Sequence, residues 1–164
     1  MGPEVDPIYW LSRRQSMVSA RLGLSFGILL LLGCAEQIPL ARGELQGIEQ
    51  PALSSWKAVA ADNIIQFETQ SDEGPYSVNL WTVLVDDRLH VFAGDNYASW
   101  VAHIEKNASV RMQSGDAIYR FQAERVTSKA VFQRFSEAWE EKYGNPPRNN
   151  QIDETYLFGL TPVP

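Results

Sequence analysis

The sequence predicts a mainly β domain, a small antiparallel barrel with helices packed outside it. Three observations lead there. Short runs rich in β-branched and aromatic residues recur from Ile64 onward. Turn residues separate several of these runs closely enough for hairpins. Parallel strand–helix–strand repeats are absent, and among those runs helical spacing recurs only over 97–107 and 129–143.

Residues 54–62 read as a short helix, with Ser54 or Ser55 as its cap and Trp56, Val59 and Ala60 on one face. Residues 64–69 form the first strand, and Ser71-Asp72-Glu73-Gly74-Pro75 turns the chain. Residues 76–85 alternate, with Tyr76, Val78 and Leu80 on one face and Trp81, Val83 and Val85 on the other. Bulk on both faces predicts one continuous central strand. Asp86-Asp87 makes a tight turn into a strand over 88–93. Asn96 is the expected cap of a helix over 97–107, whose stripe is Trp100, Val101 and Ile104. Strands over 110–113 and 117–126 follow, joined by Ser114-Gly115-Asp116. Thr127 or Ser128 caps a helix over 129–143, lined on one side by Phe132, Phe135, Ala138 and Trp139 and stopped by Gly144-Asn145-Pro146-Pro147. A polar loop over 149–153 leads to the last strand, 155–161, closed by Pro162.

The first 53 residues read differently. Arg13, Arg14 and Arg21 precede an apolar run over 22–32 that is too short to span a bilayer. A basic segment followed by a short apolar one is the pattern of a secretory signal. Met17 is an alternative start, which leaves Arg21 as the basic charge. The chain's one cysteine, Cys34, follows Leu31-Leu32-Gly33, and this quartet resembles the bacterial lipobox. The resemblance implies cleavage before Cys34 and acyl chains on it, each buried CH2 contributing about 0.8 kcal/mol of membrane affinity. The other readings are a plain signal peptide with an incidental cysteine, or a thiol buried in a core helix. Ala35 after the cysteine permits sorting to the periplasmic face of an outer membrane. The expected organisation is a signal over 1–33, a tether over 34–53 and a folded domain over 54–164. The tether reading rests on Pro39, Gly43, Gly47 and Pro51 among Glu36, Glu44 and Glu49.

The net charge of −6 and a pI of about 4.9, with no Lys/Arg cluster, weigh against a nucleic-acid partner. A domain without a second cysteine has no disulfide and no thiolate metal site. His90 and His103 lie on different elements with no third ligand at metal spacing, so no metal site is expected. No Ser-His-Asp order, phosphate loop or dinucleotide fingerprint is present.

Taken in order, "NLWTVLVDDRLHVFAGDNYASWVAHIEKNASVRM", "YRFQAERVTSKAVFQRFSEAWEEKYG" and "TYLFGLTPVP" resemble the FMN-binding split-barrel superfamily. The nearest branch is a small uncharacterised group close to the deazaflavin-dependent nitroreductases. The resemblance runs from Ile64 to Pro162. It implies a six-stranded split barrel with two packed helices, a homodimer, and FMN or deazaflavin in the groove between subunits. In the pyridoxamine-phosphate-oxidase branch, a helical Ser followed by basic residues holds the flavin phosphate. Ser99 falls on that Ser, but Trp100 and Val101 stand where the basic residues would be.

The resemblance therefore gives six candidate cofactor-binding residues, each with a second reading. Trp81 and Trp100 either stack on a flavin-like ring or fill the core. Asn79, polar in mid-strand, faces a cavity or solvent. Ser99 contacts a phosphate or is simply an exposed helical serine. Arg111, with Arg120 and Arg125 behind it, meets an anionic ligand or pairs with a neighbouring carboxylate. Tyr119 donates its hydroxyl to a ligand or lies at the edge of the core. Two functions follow as expectations. One is a lipid-anchored barrel that binds a small heterocyclic or flavin-like molecule without strong cofactor retention. The other is an FMN- or deazaflavin-dependent oxidoreductase at the cell envelope.

Overall fold

The computed structural model describes residues 43–164. The expected signal peptide and Cys34 lie outside the described residues. Eight strands and three helices follow in order: β1 Ile48–Glu49, α1 Lys57–Ala60, β2 Ile65–Ser71, β3 Gly74–Leu80, β4 Thr82–Val85, β5 Arg88–Phe92, α2 Ser99–Lys106, β6 Ser109–Ser114, β7 Ala117–Arg125, α3 Lys129–Tyr143 and β8 Leu157–Pro162. A single 3-10 turn, Ile152–Glu154, precedes β8 and buries Ile152.

The strands form one curled sheet in the order β3-β2-β6-β7-β8-β5-β4, antiparallel throughout, with β1 added in parallel on β7. Its two edge strands, β3 and β4, are consecutive in the chain. The curl therefore stays open along a seam that the backbone crosses at Trp81. This is a split barrel.

That seam corrects the expectation of one central strand over 76–85. β3 pairs with β2 and β4 with β5, in each case on one side only. The alternation runs unbroken through the crossing because both halves must bury one face, and no Gly or Pro marks the break. With β1, this split brings the expected six strands to eight. The predicted Asp86-Asp87 turn is present, with φ of 53° and 58°. Two left-handed residues in succession give the twist that a two-residue hairpin needs. α2 begins at Ser99, and its cap is Ala98, not Asn96. Ser128 caps α3 as expected, accepting from the Val131 N–H, and Gly144 ends it in the left-handed conformation.

The predicted tether is docked from Leu45 onward. Leu45 is buried, and its N–H donates to the Glu68 carboxylate at 2.7 Å. Glu49 accepts from Arg120 at 2.6 Å, and Gly47 lies so close to the Asp116 carbonyl that a Cβ would stand 2.6 Å from it. Pro and Gly content suggested a leash, but these contacts are made with β2, β6 and β7, far along the chain.

Alternation along the strands separates two cores. Inside the curl lie Phe67, Leu89, Val91, Met112, Phe121, Phe158 and Leu160, closed by Trp56 and by Trp100, Val101 and Ile104 of α2. Outside it, α3 lays Phe132, Phe135 and Trp139 over Val83, Val85 and Leu157. The stripe on α3 follows from 3.6-residue periodicity.

Candidate functional site

Two of the predicted site residues belong to the core. Trp100 is 4% exposed and meets Phe67 and Phe158 edge-on, both at 5.8 Å. Tyr119 is 8% exposed and edge-on to Trp56 at 5.1 Å. Arg111 reaches three carboxylates. It grips Glu68 with two nitrogens, at 2.7 and 2.8 Å, and touches Glu49 and Glu44 at 3.2 Å each. These charge-assisted bonds hold its guanidinium pKa well above the usual arginine range. Arg120 is bonded to Glu49, and Arg125 lies over the Tyr156 ring at 4.2 Å with a bond to the Thr155 carbonyl. Asn79 is half-buried on β3 opposite Gln66.

Trp81 is different. It is 50% exposed at the seam, stacked on Tyr143 at 5.0 Å and 22°, with Trp139 at 5.5 Å. The reason lies in the backbone. Where the chain leaves β3 for β4, the N–H and C=O of Thr82 lose strand partners and need others. α3 supplies them from its last turn. The Tyr143 hydroxyl accepts the Thr82 N–H at 3.2 Å and lies 3.0 Å from the Thr82 carbonyl. The Lys142 ammonium donates to the carbonyls of Ala60, Asp62 and Thr82 at 2.7, 2.6 and 2.8 Å. Burial pushes the Tyr143 hydroxyl up to about 12 and holds the Lys142 ammonium below its ordinary value. Both side chains are thus fixed, and Tyr143, stacked on Trp81, holds an indole that stays half exposed. A rigid, half-exposed indole backed by two aromatic rings is a platform for a planar ligand.

Ser99 lies elsewhere, at the start of α2, in a cavity of about 310 Å³ that also contains Asp72, Glu73 and Lys106. Lys106 is already bonded to Asp72 at 2.7 Å, and His103 bonds Thr69 at 2.9 Å. A phosphate placed on Ser99 would meet two carboxylates, Asp72 and Glu73, against the single exposed ammonium of Lys106, which already pairs with Asp72. Trp81 offers an exposed face for stacking, and the residues around Ser99 do not fit a flavin phosphate.

A second polar cavity, about 370 Å³, opens at the other end of α3, between its first turn and the β4–β5 hairpin. Arg88 and His90 point to this side of β5. Across the sheet from His90, β8 carries Gly159 and β7 carries Glu124. Gly159 leaves room for the guanidinium of Arg88, which lies where a Cβ would approach to 2.8 Å. A glycine inside a strand signals such close approach, and it was the one trace of this cavity in the sequence. Arg88 and His90 carry no spacing that brings them together with residues 124 and 159.

His90 is 2% exposed, and burial holds its pKa below the ordinary histidine value. On unfolding it regains that value, so the unfolded state binds more protons between the two pKa values. Stability therefore rises with pH across this window and is lost as pH falls below about 6.5. In chemical denaturation from pH 8 to pH 5, His90→Gln is expected to flatten the part of the acid slope due to this residue. An unchanged slope would show that His90 titrates alike in both states.

No protein-family model matches the chain, and no curated protein sequence resembles it significantly. Among solved structures the fold recurs. A candidate 5-nitroimidazole antibiotic resistance protein from Bacteroides thetaiotaomicron aligns at a TM-score of 0.53 and 12% identity, over 65% of this chain and 76% of the other. A conserved hypothetical protein from Mycobacterium tuberculosis aligns at 0.53 and 13%, over 72% and 86%. A candidate pyridoxamine 5'-phosphate oxidase from Listeria innocua aligns at 0.50 and 11%, over 65% and 90%. At these identities the likeness establishes the split-barrel fold.

Proposed function

We propose that this chain is a lipid-anchored envelope protein whose split barrel binds a planar heterocycle, flavin-like in shape, on the Trp81 platform. The observation that carries the binding reading is the half-exposed indole clamped on Tyr143 at the seam. Two structural neighbours support it by name, since a nitroimidazole and pyridoxamine phosphate are both nitrogen heterocycles. The anchor reading is supported by Leu31-Leu32-Gly33-Cys34 behind a short apolar run.

The chemistry available to this chain is positioning. Trp81 offers a ring face, and Tyr143 and Trp139 hold that face still. A bound flavin or deazaflavin would supply electron transfer. The carboxylates beside Ser99 oppose a phosphate, so ring binding without strong retention is the expected behaviour. The oxidoreductase reading requires a second copy of the chain to complete a closed groove and to bring further cations to the Ser99 cavity.

Desalting separates the two. Full-length protein in mild detergent is mixed with FMN or with a deazaflavin cofactor, then passed through a desalting column. Quenching of tryptophan fluorescence before the column and loss of the chromophore after it supports the binding module. Retained yellow chromophore supports the oxidoreductase. Neither quenching nor retention contradicts both. For the anchor, intact-mass analysis of protein extracted from its host is expected to show an acylated Cys34 as the first residue. An unmodified thiol with residues 1–33 attached would overturn it.

A further inference from the structure

We infer that the cavity at the start of α3 is a second ligand site, for a small oxyanion carrying a hydroxyl, such as hydrogen phosphate or a 2-hydroxy acid. Three features converge on one volume of about 370 Å³.

The first is His90. It is 98% buried by complement of its 2% exposure, yet it lines the cavity. Its Nδ1 lies 2.9 Å from the Arg88 carbonyl. A carbonyl only accepts, so Nδ1 carries the proton. In the neutral ring Nε2 is then a bare acceptor, and no described residue donates to it. It calls for an O–H or N–H from a ligand.

The second is Arg88. Only its Nη2 is engaged, by Glu124 and by the Gly159 carbonyl, both at 3.0 Å. Its Nε is buried with no partner among the described residues. Of the five N–H donors of a guanidinium, about three are unspent. The Glu124 partner is 75% exposed, so a desolvated ligand oxyanion competes with it on favourable terms.

The third is the end of α3. This 15-residue helix has no acidic residue in its first turn, and Ser128 and Thr127 bring hydroxyls to the same cavity. Asp86 also lines the wall, but its carboxylate is held by Arg134 at 2.7 Å. The oxygens of the ligand meet Arg88 and the helix end, and its hydroxyl meets Nε2 of His90. The site lies at the start of α3 and the Trp81 platform at its end, and a helix of 15 residues is about 22 Å long. It stands or falls apart from the heterocycle reading.

The test is long-range proton–nitrogen NMR of the imidazole rings in full-length protein in detergent, at fixed pH and ionic strength. The probes are sodium phosphate and sodium lactate, with sodium chloride as control. The expected result is a saturable shift of His90 Nε2 with His103 unmoved. Arg88→Gln is expected to weaken the midpoint about tenfold or more, since a charge-assisted contact is lost. A thermal shift upward with the same anion checks binding without the variant. A response to phosphate alone or to lactate alone identifies the oxyanion, and either supports the site. An equal response to chloride, a response of His103 as well, or none from either anion overturns it.

Discussion

Arg111→Met is expected to destabilise the domain by about 3 kcal/mol, the largest effect of any cation removal among the described residues. Glu68 is fully buried, and Arg111 answers both of its oxygens. Without the guanidinium, the carboxylate keeps only the Leu45 N–H and the Gln70 amide, at 2.7 and 3.3 Å. A buried carboxylate so served either takes a proton or opens the structure around it. The loss also reaches Glu44 and Glu49, which hold the segment before α1 against the sheet. For a domain of this size the midpoint of thermal unfolding should fall by roughly 10 °C. The control is Arg120→Met, whose partner Glu49 is part-exposed and whose own side chain is 58% exposed. It should cost under about 1 kcal/mol. The double variant Glu68→Gln with Arg111→Met should recover part of the loss, because the orphaned charge is gone. If Arg111→Met and Arg120→Met behaved alike, the network would be a surface feature and the docked segment a weak one.

Phe135→Ala is expected to cost about 3–5 kcal/mol, a large share of the stability of an ordinary domain. Phe135 has no exposed surface and lies in the middle of the aromatic stripe of α3. Its ring centroid is 5.1 Å from Phe92, 5.9 Å from Phe132, 5.5 Å from Trp139 and 6.4 Å from His90. The effect should extend beyond stability. Trp139 and Tyr143 continue the same stripe toward Trp81, so a loosened α3 should weaken ring binding at the seam. Urea denaturation followed by far-ultraviolet circular dichroism measures the first effect, and the heterocycle titration below measures the second. A stable Phe135→Ala variant with intact ring binding would mean that α3 is held by other contacts.

These residues show how much the chain disclosed before its structure was known. The hairpin at Asp86-Asp87, the cap at Ser128, the stop at Gly144 and the stripe from Phe132 to Trp139 are local devices. Each depends on residues within one or two turns, and each is legible in sequence. The split barrel itself was visible as an ordered set of such devices. The seam was not, because alternation is identical in one long strand and in two short ones that bury the same faces. The docked segment was not, because Glu44, Glu49 and Leu45 find their partners on β2, β6 and β7. For the site, Trp81 was named beside Trp100, and only the seam distinguishes a platform from a core residue. Of the two readings open for Arg111, a ligand contact or a carboxylate pair, the structure shows the second, and sequence does not decide between them because the three carboxylates are 43 to 67 positions away. The Arg88–His90 cavity needed three strands in register before it existed.

The most direct measurement is an equilibrium titration of the full-length protein with FMN, followed by tryptophan fluorescence, with Trp81→Ala alongside. The wild type should show saturable quenching, and the variant should lose most of it while keeping its fold, since Trp81 is half exposed and meets the core only at its edge, through Trp139 and Tyr143. Quenching of equal depth and midpoint in both proteins would place the ring elsewhere and contradict the Trp81 platform.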